Sequence, residues 1–176
     1  RYIGWTPLQW ASYKGNTTIV SYLIKNKANM NDYLFNETPL YYALTSKREE
    51  VALILIQNGA DITQKDNSGY THLYLATFYN LQGAVKAILN KKGYEITDNN
   101  LLETALERGN LEIFEILVKK KVPVEQVFSD GSFALHQAAK NGYLDIVQLL
   151  ISKKFPINQV DKTGNTALMY AAYNNQ

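Results

Sequence analysis

The side chains best suited to chemistry are few in this sequence and poorly spaced for it. Neither of the two histidines, His72 and His136, has a partner at a metal-ligand spacing. There is no cysteine, and no His-Glu-x-x-His pattern occurs. A metal or catalytic site needs several convergent groups, so both rings read as structural. The acidic pair Glu49-Glu50 reads as the start of a helix, where negative charge is favoured by the helix dipole, rather than as paired acid and base. Asp98, Asn99 and Asn100 read as a second helix start. No Gly-rich phosphate loop and no Gly-x-Ser-x-Gly elbow is present. Catalysis, a metal and a cofactor are therefore not expected. What remains is recognition: the 13 Tyr, 6 Phe and 2 Trp are the feature least explained by folding, and aromatic side chains are enriched in binding hot spots.

The elements that position these residues come from a repeat. Thr6-Pro7-Leu8 recurs as Thr38-Pro39-Leu40, then as Thr71-His72-Leu73. Looser copies stand at Asn100-Leu101-Leu102, Phe133-Ala134-Leu135 and Thr166-Ala167-Leu168. A period near 33 residues indicates stacked units rather than a closed globule. Within a unit, the threonine hydroxyl caps a first helix and proline fits its first turn. Small buried positions follow at Ala11, Ala43, Ala76, Ala105, Ala138 and Ala171. Gly15-Asn16, Gly109-Asn110 and Gly142-Tyr143 mark the turn into a second helix. That second helix carries an apolar face, as in Ile19, Val20, Leu23 and Ile24 or Ile146, Val147, Leu150 and Ile151. No single helix pair can bury such a face, so each unit needs its neighbours. Asp66-Asn67-Ser68-Gly69 and Asp161-Lys162-Thr163-Gly164 are turn chemistry and predict hairpin tips.

Composition narrows the setting. The net charge of +2 dictates no nucleic-acid partner, and the lack of cysteine fits a reducing compartment. No apolar run approaches the roughly 18 residues that span a bilayer, and no signal peptide is apparent. The chain reads as soluble, without membrane insertion, and cytoplasmic or otherwise intracellular.

Together these residues resemble the ankyrin repeat family. The best matches are Gly4-Trp5-Thr6-Pro7-Leu8-Gln9-Trp10-Ala11, Asn58-Gly59-Ala60-Asp61, and the run from Phe133 to Gly142, with Asp145-Ile146-Val147 and Leu149-Leu150 in register. The resemblance implies an all-α fold, an ankyrin-repeat solenoid of stacked helix-turn-helix units joined by short β-hairpin loops. It divides residues 1–176 into units 1–32, 33–65, 66–96, 97–127, 128–160 and a partial 161–176, forming one array that is expected to belong to a longer chain. It also implies that His136 hydrogen-bonds backbone groups between loops.

Two departures from the family carry expectations. The stretch from Ile96 to Asn100 is about four residues short and lacks Thr-Pro, so its hairpin and cap should be lost. After the second helices only Gly59 keeps the family's glycine, with Lys27, Lys92, Lys121 and Lys154 elsewhere. There either a lysine accepts a positive φ or the turn changes type.

In this family the partner-facing positions are the hairpin tips and the inner side of the first helices. Carried over, they are Trp5, Trp10, Tyr13 and Lys14, then Phe35 and Tyr42, then Tyr70, Phe78 and Tyr79. Later units offer mostly polar residues such as Arg108, Asp130, Asn141, Lys162 and Asn174. Packing between first helices is the alternative reading for Trp10, Tyr41, Tyr42 and Tyr74. The resemblance implies a non-catalytic protein–protein interaction module, monomeric, binding another protein on its concave face. Two alternatives stay open. One is a targeting arm of a larger enzyme, membrane protein or secreted microbial effector. The other is a lysine ridge (Lys25, Lys27, Lys91, Lys92, Lys119 to Lys121, Lys153, Lys154) that takes anionic lipid or an acidic polymer, against its reading as a solvated face.

Overall fold

The computed structural model describes residues 4–32 and 37–176 and contains eleven helices among them. First helices α1 (Pro7–Lys14), α3 (Pro39–Thr45), α5 (His72–Phe78), α7 (Leu101–Glu107), α9 (Ala134–Lys140) and α11 (Ala167–Tyr173) alternate with second helices. These are α2 (Thr17–Lys25), α4 (Glu49–Gln57), α6 (Gln82–Leu89), α8 (Leu111–Lys119) and α10 (Leu144–Ser152). The chain divides into two compact units, Arg1–Asp98 and Asn99–Gln176. In unit 1 the first helices pack in the order α1, α3, α5, each on its own second helix. In unit 2 the order is α7, α9, α11, with α7 and α9 each on its own second helix.

The helix starts follow the threonines. The hydroxyls of Thr6, Thr38, Thr71 and Thr166 each accept from the backbone N–H three residues on. Asn100 and Phe133 supply no such bond. At Phe133 the repair comes from His136, whose Nδ1 accepts the Phe133 N–H at 3.3 Å.

The turn after each first helix takes a left-handed backbone, at Gly15, Lys47, Asn80, Gly109, Gly142 and Asn175. After the second helices both expected outcomes occur. Lys27, Lys121 and Lys154 accept φ of 62°, 65° and 64°, whereas at Lys92 the turn changes type and Gly93 takes φ 78°. The strain is tolerated because the turn amides still find carbonyls: Lys27 N–H bonds Ile24 O at 2.9 Å and Ala28 N–H bonds Leu23 O at 3.0 Å.

The core runs between the helix layers of each unit. Ala43, Ala76, Ala105 and Ala138 are fully buried and Ala11 nearly so, which lets neighbouring first helices approach closely; Ala171 is half-buried. Around them pack Leu40, Leu44, Leu55 and Leu73 in unit 1, and Leu102, Phe114, Leu117 and Leu150 in unit 2. Each such side chain contributes about 1.5–3 kcal/mol relative to exposure.

The hairpin tips are slighter than a β-hairpin. Among the described residues there is no strand; isolated antiparallel bridges join Lys65 to Thr71 and Val160 to Thr166. A common turn lies behind them: Asp66 N–H bonds Tyr70 O, Phe128 N–H bonds Ser132 O, and Asp161 N–H bonds Asn165 O, at 2.8–3.0 Å. No bridge forms over 96–100 among the described residues. Asp98 is not a cap there but accepts the Thr71 hydroxyl at 2.7 Å, and burial pushes its carboxyl above the usual value.

Candidate functional site

In unit 1 the aromatic residues gather into two groups. At the start of α1 the Trp5 ring lies 4.0 Å from Tyr42, 5.4 Å from Tyr13 and 5.6 Å from Trp10, centroid to centroid. Trp10, Tyr13 and Lys14 fall on one helix face by their i, i+3 and i+4 spacing. The Lys14 ammonium sits 4.9 Å over Trp10 and 5.5 Å over Tyr13. Trp10 is 39% exposed and Trp5 and Tyr13 are half-buried. Tyr42 departs from its expected role. At 5% exposure it is not presented to a partner; it lies beneath Trp5, and its hydroxyl donates to Glu37 Oε2. Burial first, and then Glu37, push that hydroxyl well above the usual tyrosine range. Phe35 lies outside the described residues.

The second group is a ladder. Tyr70, at the hairpin tip, stacks on Tyr74 at 4.2 Å with planes 9° apart; Tyr74 stacks on Phe78 at 6.0 Å, and Tyr79 meets Phe78 edge-on at 5.1 Å. Spacing of four residues puts Tyr74 and Phe78 on one side of α5, and Tyr70, ahead of the cap, continues the column. With Tyr41 and Thr45 of α3, and Asp66 and Ser68 of the tip, they line a cleft of about 250 Å³. Asp66 is the one charged side chain in that lining. Tyr41 and Tyr74, read from sequence as equally suited to packing, are half-buried and face this cleft. The i, i+4, i+8 spacing of Tyr70, Tyr74 and Phe78 was the signal for it. Burial raises the Tyr41 hydroxyl pKa, and the nearby charges of Glu37 and Asp66 raise it further.

Unit 2 has the same scaffold with polar ties in place of rings. Glu103 Oε1 accepts from the Ser129 N–H at 2.9 Å and from its hydroxyl. Gln137 Nε2 donates to Asp130 Oδ2 at 2.7 Å, and the Tyr170 hydroxyl to Asp161 Oδ2 at 2.7 Å. The Tyr170 hydroxyl is the leading cause that holds the Asp161 carboxyl far below the usual carboxylate range. His136 bridges loops as expected. Because its Nδ1 accepts the Phe133 N–H, Nε2 carries the proton and donates to the carbonyls of Gln159 and Asn165, both at 3.1 Å. Tyr173, 88% exposed, lines a cleft with Asn165, Met169 and Tyr170.

The remaining candidates are structural. Glu49 Oε1 accepts the N–H groups of Gly83 and Ala84 at 2.6 and 3.1 Å, capping the start of α6, a role not visible in its own helix. His72 is buried, its Nε2 3.2 Å from Thr38 Oγ1, while Nδ1 faces the Ile62 backbone without closing a good hydrogen bond. Burial pushes this imidazole down to about 4. Among the described residues no three His, Cys, Asp or Glu side chains converge on a point that would hold a metal. The lysines at the second-helix ends are mostly exposed, and Lys119 pairs with Glu115 on its own helix at 3.3 Å.

Comparison with known proteins agrees with this architecture. The family described as ankyrin repeats (3 copies) matches residues 2–66 and 101–176. An ankyrin repeat protein of Fowlpox virus (strain NVSL) is 30% identical over 112 residues, 62% of this chain and 79% of that protein. Palmitoyltransferase AKR1 of Lachancea kluyveri is 32% identical over 99 residues, 53% of this chain but only 13% of the transferase. A crystal structure of an ankyrin repeat domain from Acinetobacter baumannii AYE aligns with a TM-score of 0.79 at 25% identity, covering 96% of this chain and 91% of that one. With helix pairs recurring through both units and more than half of its residues matched, the chain belongs to the ankyrin repeat family.

Proposed function

We propose that this chain is a non-catalytic recognition module that binds a protein partner on the first helices and hairpin tip of unit 1. Ankyrin repeats are in general protein-interaction modules, and the observation that carries the reading is the concentration of half-exposed rings there. Trp5, Trp10, Tyr13 and Lys14 form one patch, and Tyr70, Phe78 and Tyr79 belong to the other. Stacked aromatic side chains present large areas at low entropic cost, which is why they dominate interface energetics. The module acts as a monomer in an intracellular, reducing setting, consistent with a chain that has no cysteine. Among the described residues no helix is long and apolar enough to cross a membrane.

The test is to select a random peptide library on the immobilised chain and titrate the selected peptides against variants. Tyr13→Ala, Tyr70→Ala and Tyr79→Ala should each weaken binding by more than about 1 kcal/mol with the circular dichroism melt nearly unchanged. Asn141→Ala and Asn174→Ala should weaken it less. Equal losses in the two sets would remove the assignment to unit 1. Loss confined to lysine variants and steep in added salt would move it to the basic ridge.

A second reading is favoured by the partial match to a palmitoyltransferase, of which the chain spans 13%. Here the same surface serves as the recruiting arm of a longer protein. A fusion of this chain to an unrelated enzyme should then raise activity on substrates carrying a selected peptide.

A further inference from the structure

The cleft beside the tyrosine ladder has a feature that its counterpart in unit 2 lacks. Asp66 and Asp161 stand at the same place, five residues before the capping threonines Thr71 and Thr166. Each spends Oδ1 on its own turn: Asp66 accepts from Ser68 N–H and Tyr70 N–H at 2.9 Å, and Asp161 from Thr163 N–H at 2.8 Å and Asn165 N–H at 3.0 Å. In unit 2 the other oxygen is closed off by the Tyr170 hydroxyl at 2.7 Å. In unit 1 the residue matching Tyr170 is Leu75, which has no donor. No hydrogen bond to Asp66 Oδ2 comes from the described residues, and Asp66 lies in a cleft whose lining includes the rings of Tyr41, Tyr70, Tyr74, Phe78 and Tyr79.

Rings around a carboxylate select a cation. The negative faces of tyrosine attract positive charge, and an acidic group beside them strengthens the attraction. The chain already uses its rings so: Lys14 lies over Trp10 and Tyr13, and the Lys47 ammonium stands 6.0 Å over Tyr79. Tyr70 ends the stack: Tyr74 covers one of its faces, and with Tyr70 40% exposed it is the outer ring that offers a flat surface. A flat, weakly hydrated cation with in-plane donors suits such a surface better than a compact ammonium. Guanidinium is that cation, since it stacks on a ring while its N–H groups reach a carboxylate.

We propose that the cleft between α3 and α5 receives an arginine side chain of the partner, which lies against the tyrosine ladder and donates hydrogen bonds to Asp66. This deepens the reading of unit 1 as a protein-binding surface and rests on it.

The test uses the full chain and three probes of known chemistry: the N-acetyl amides of arginine, lysine and the neutral norleucine. Their effect on the aromatic resonances of unit 1 is followed by NMR. Arginine amide should shift Tyr70, Tyr74 and Phe78 saturably and norleucine amide should not, with lysine amide weaker than arginine amide. Asp66→Asn keeps the Oδ1 acceptor that holds the turn, so the fold is retained while the charge is lost. It should weaken arginine amide binding at least about five-fold, in keeping with a charge-assisted hydrogen bond. Tyr74→Leu should weaken it as well. No response to arginine amide, equal binding of norleucine or lysine amide, or indifference to Asp66→Asn would each overturn the proposal. The selected peptides separate this failure from that of the broader reading. If they bind unit 1 undiminished when every arginine is replaced by norleucine, the protein-binding surface stands and the arginine pocket falls. If arginine amide binds but no peptide does, the pocket stands without the surface.

Discussion

The two units solve the same packing problem at one position with different side chains. Three residues past the helix start, unit 2 places a polar brace in α7 and α9: Glu103 reaches Ser129, and His136 reaches the carbonyls of Gln159 and Asn165. Unit 1 keeps such a brace only in α1, where Gln9 Nε2 donates to Glu37 O at 2.8 Å while Oε1 accepts from Thr6 N–H. In α3 and α5 the same place holds Tyr41 and Tyr74, which line the cleft. A brace spends its donors and acceptors inside the stack, so little is left for a ligand. A tyrosine ring contributes its packing area instead. The comparison teaches that rings can replace braces at this place while the core is built in the same way, and the proposed binding surface falls where they do.

If the units share a core and differ only in their faces, equivalent core truncations should cost alike. Leu73→Ala and Leu135→Ala, both two places past the helix start and nearly fully buried, should each destabilise by about 2–5 kcal/mol in a urea titration. A large loss in one unit with little in the other would break the comparison.

The two histidines sharpen it next. The folded-state pKa of His72 is pushed down to about 4 by burial, against the opposing pull of the Ile62 carbonyl and of Asp61 and Asp66. An unfolded histidine titrates near 6.5. Between those values the unfolded chain binds the proton more readily, so stability is lost as pH falls through that window, by about 2–3 kcal/mol. His72→Pro places there the residue that Pro7 and Pro39 already supply at the equivalent site. It should flatten the decline in urea midpoint from pH 7 to pH 4.5. An unchanged slope would show that the acid sensitivity lies elsewhere.

A smaller contrast is expected between the capping threonines. Thr71 accepts from Tyr74 N–H at 3.0 Å and also donates to Asp98, whereas Thr166 only accepts from Met169 N–H, at 3.4 Å. Thr71→Val should cost about 1–2 kcal/mol and Thr166→Val no more than about 0.5, the high and low ends for a lost cap. Equal thermal shifts would mean that the Asp98 contact contributes nothing.

The least costly opening should fall at residues 96–102, where Asn100 makes no side-chain cap and no bridge forms among the described residues. Amide exchange there should be faster than over 65–71, where Lys65 pairs with Thr71. Uniform protection of both segments would count against this.

How much of this was legible depended on whether the cause was local. A threonine caps the amide three residues on, and an apolar face repeats along its own helix, so the period, the helix pairs and the weak start at Asn100 could be read directly. Other features required residues far apart in the chain. Glu49 lay in an acidic pair that looked fit for its own helix, yet its carboxylate caps α6. Asp98 looked like a cap and instead receives a hydroxyl from Thr71.

The sequence by itself determined the repeat, the family and the crowding of aromatic residues toward the N-terminal half, because each is written in residue types at fixed spacing. It also posed the choice at the second-helix ends, but only the tertiary structure decided that Lys27, Lys121 and Lys154 take the left-handed turn while Lys92 yields to Gly93. It decided too that Tyr42 is buried beneath Trp5 while its neighbour Tyr41 faces the cleft. Adjacent helical residues project in different directions, and which one meets solvent depends on where the next helix packs. The two hairpin aspartates are alike in sequence, yet nine positions further on Tyr170 donates to the one while Leu75 has no donor for the other. A hydrogen bond depends on where two atoms meet in space, and the fold alone sets that.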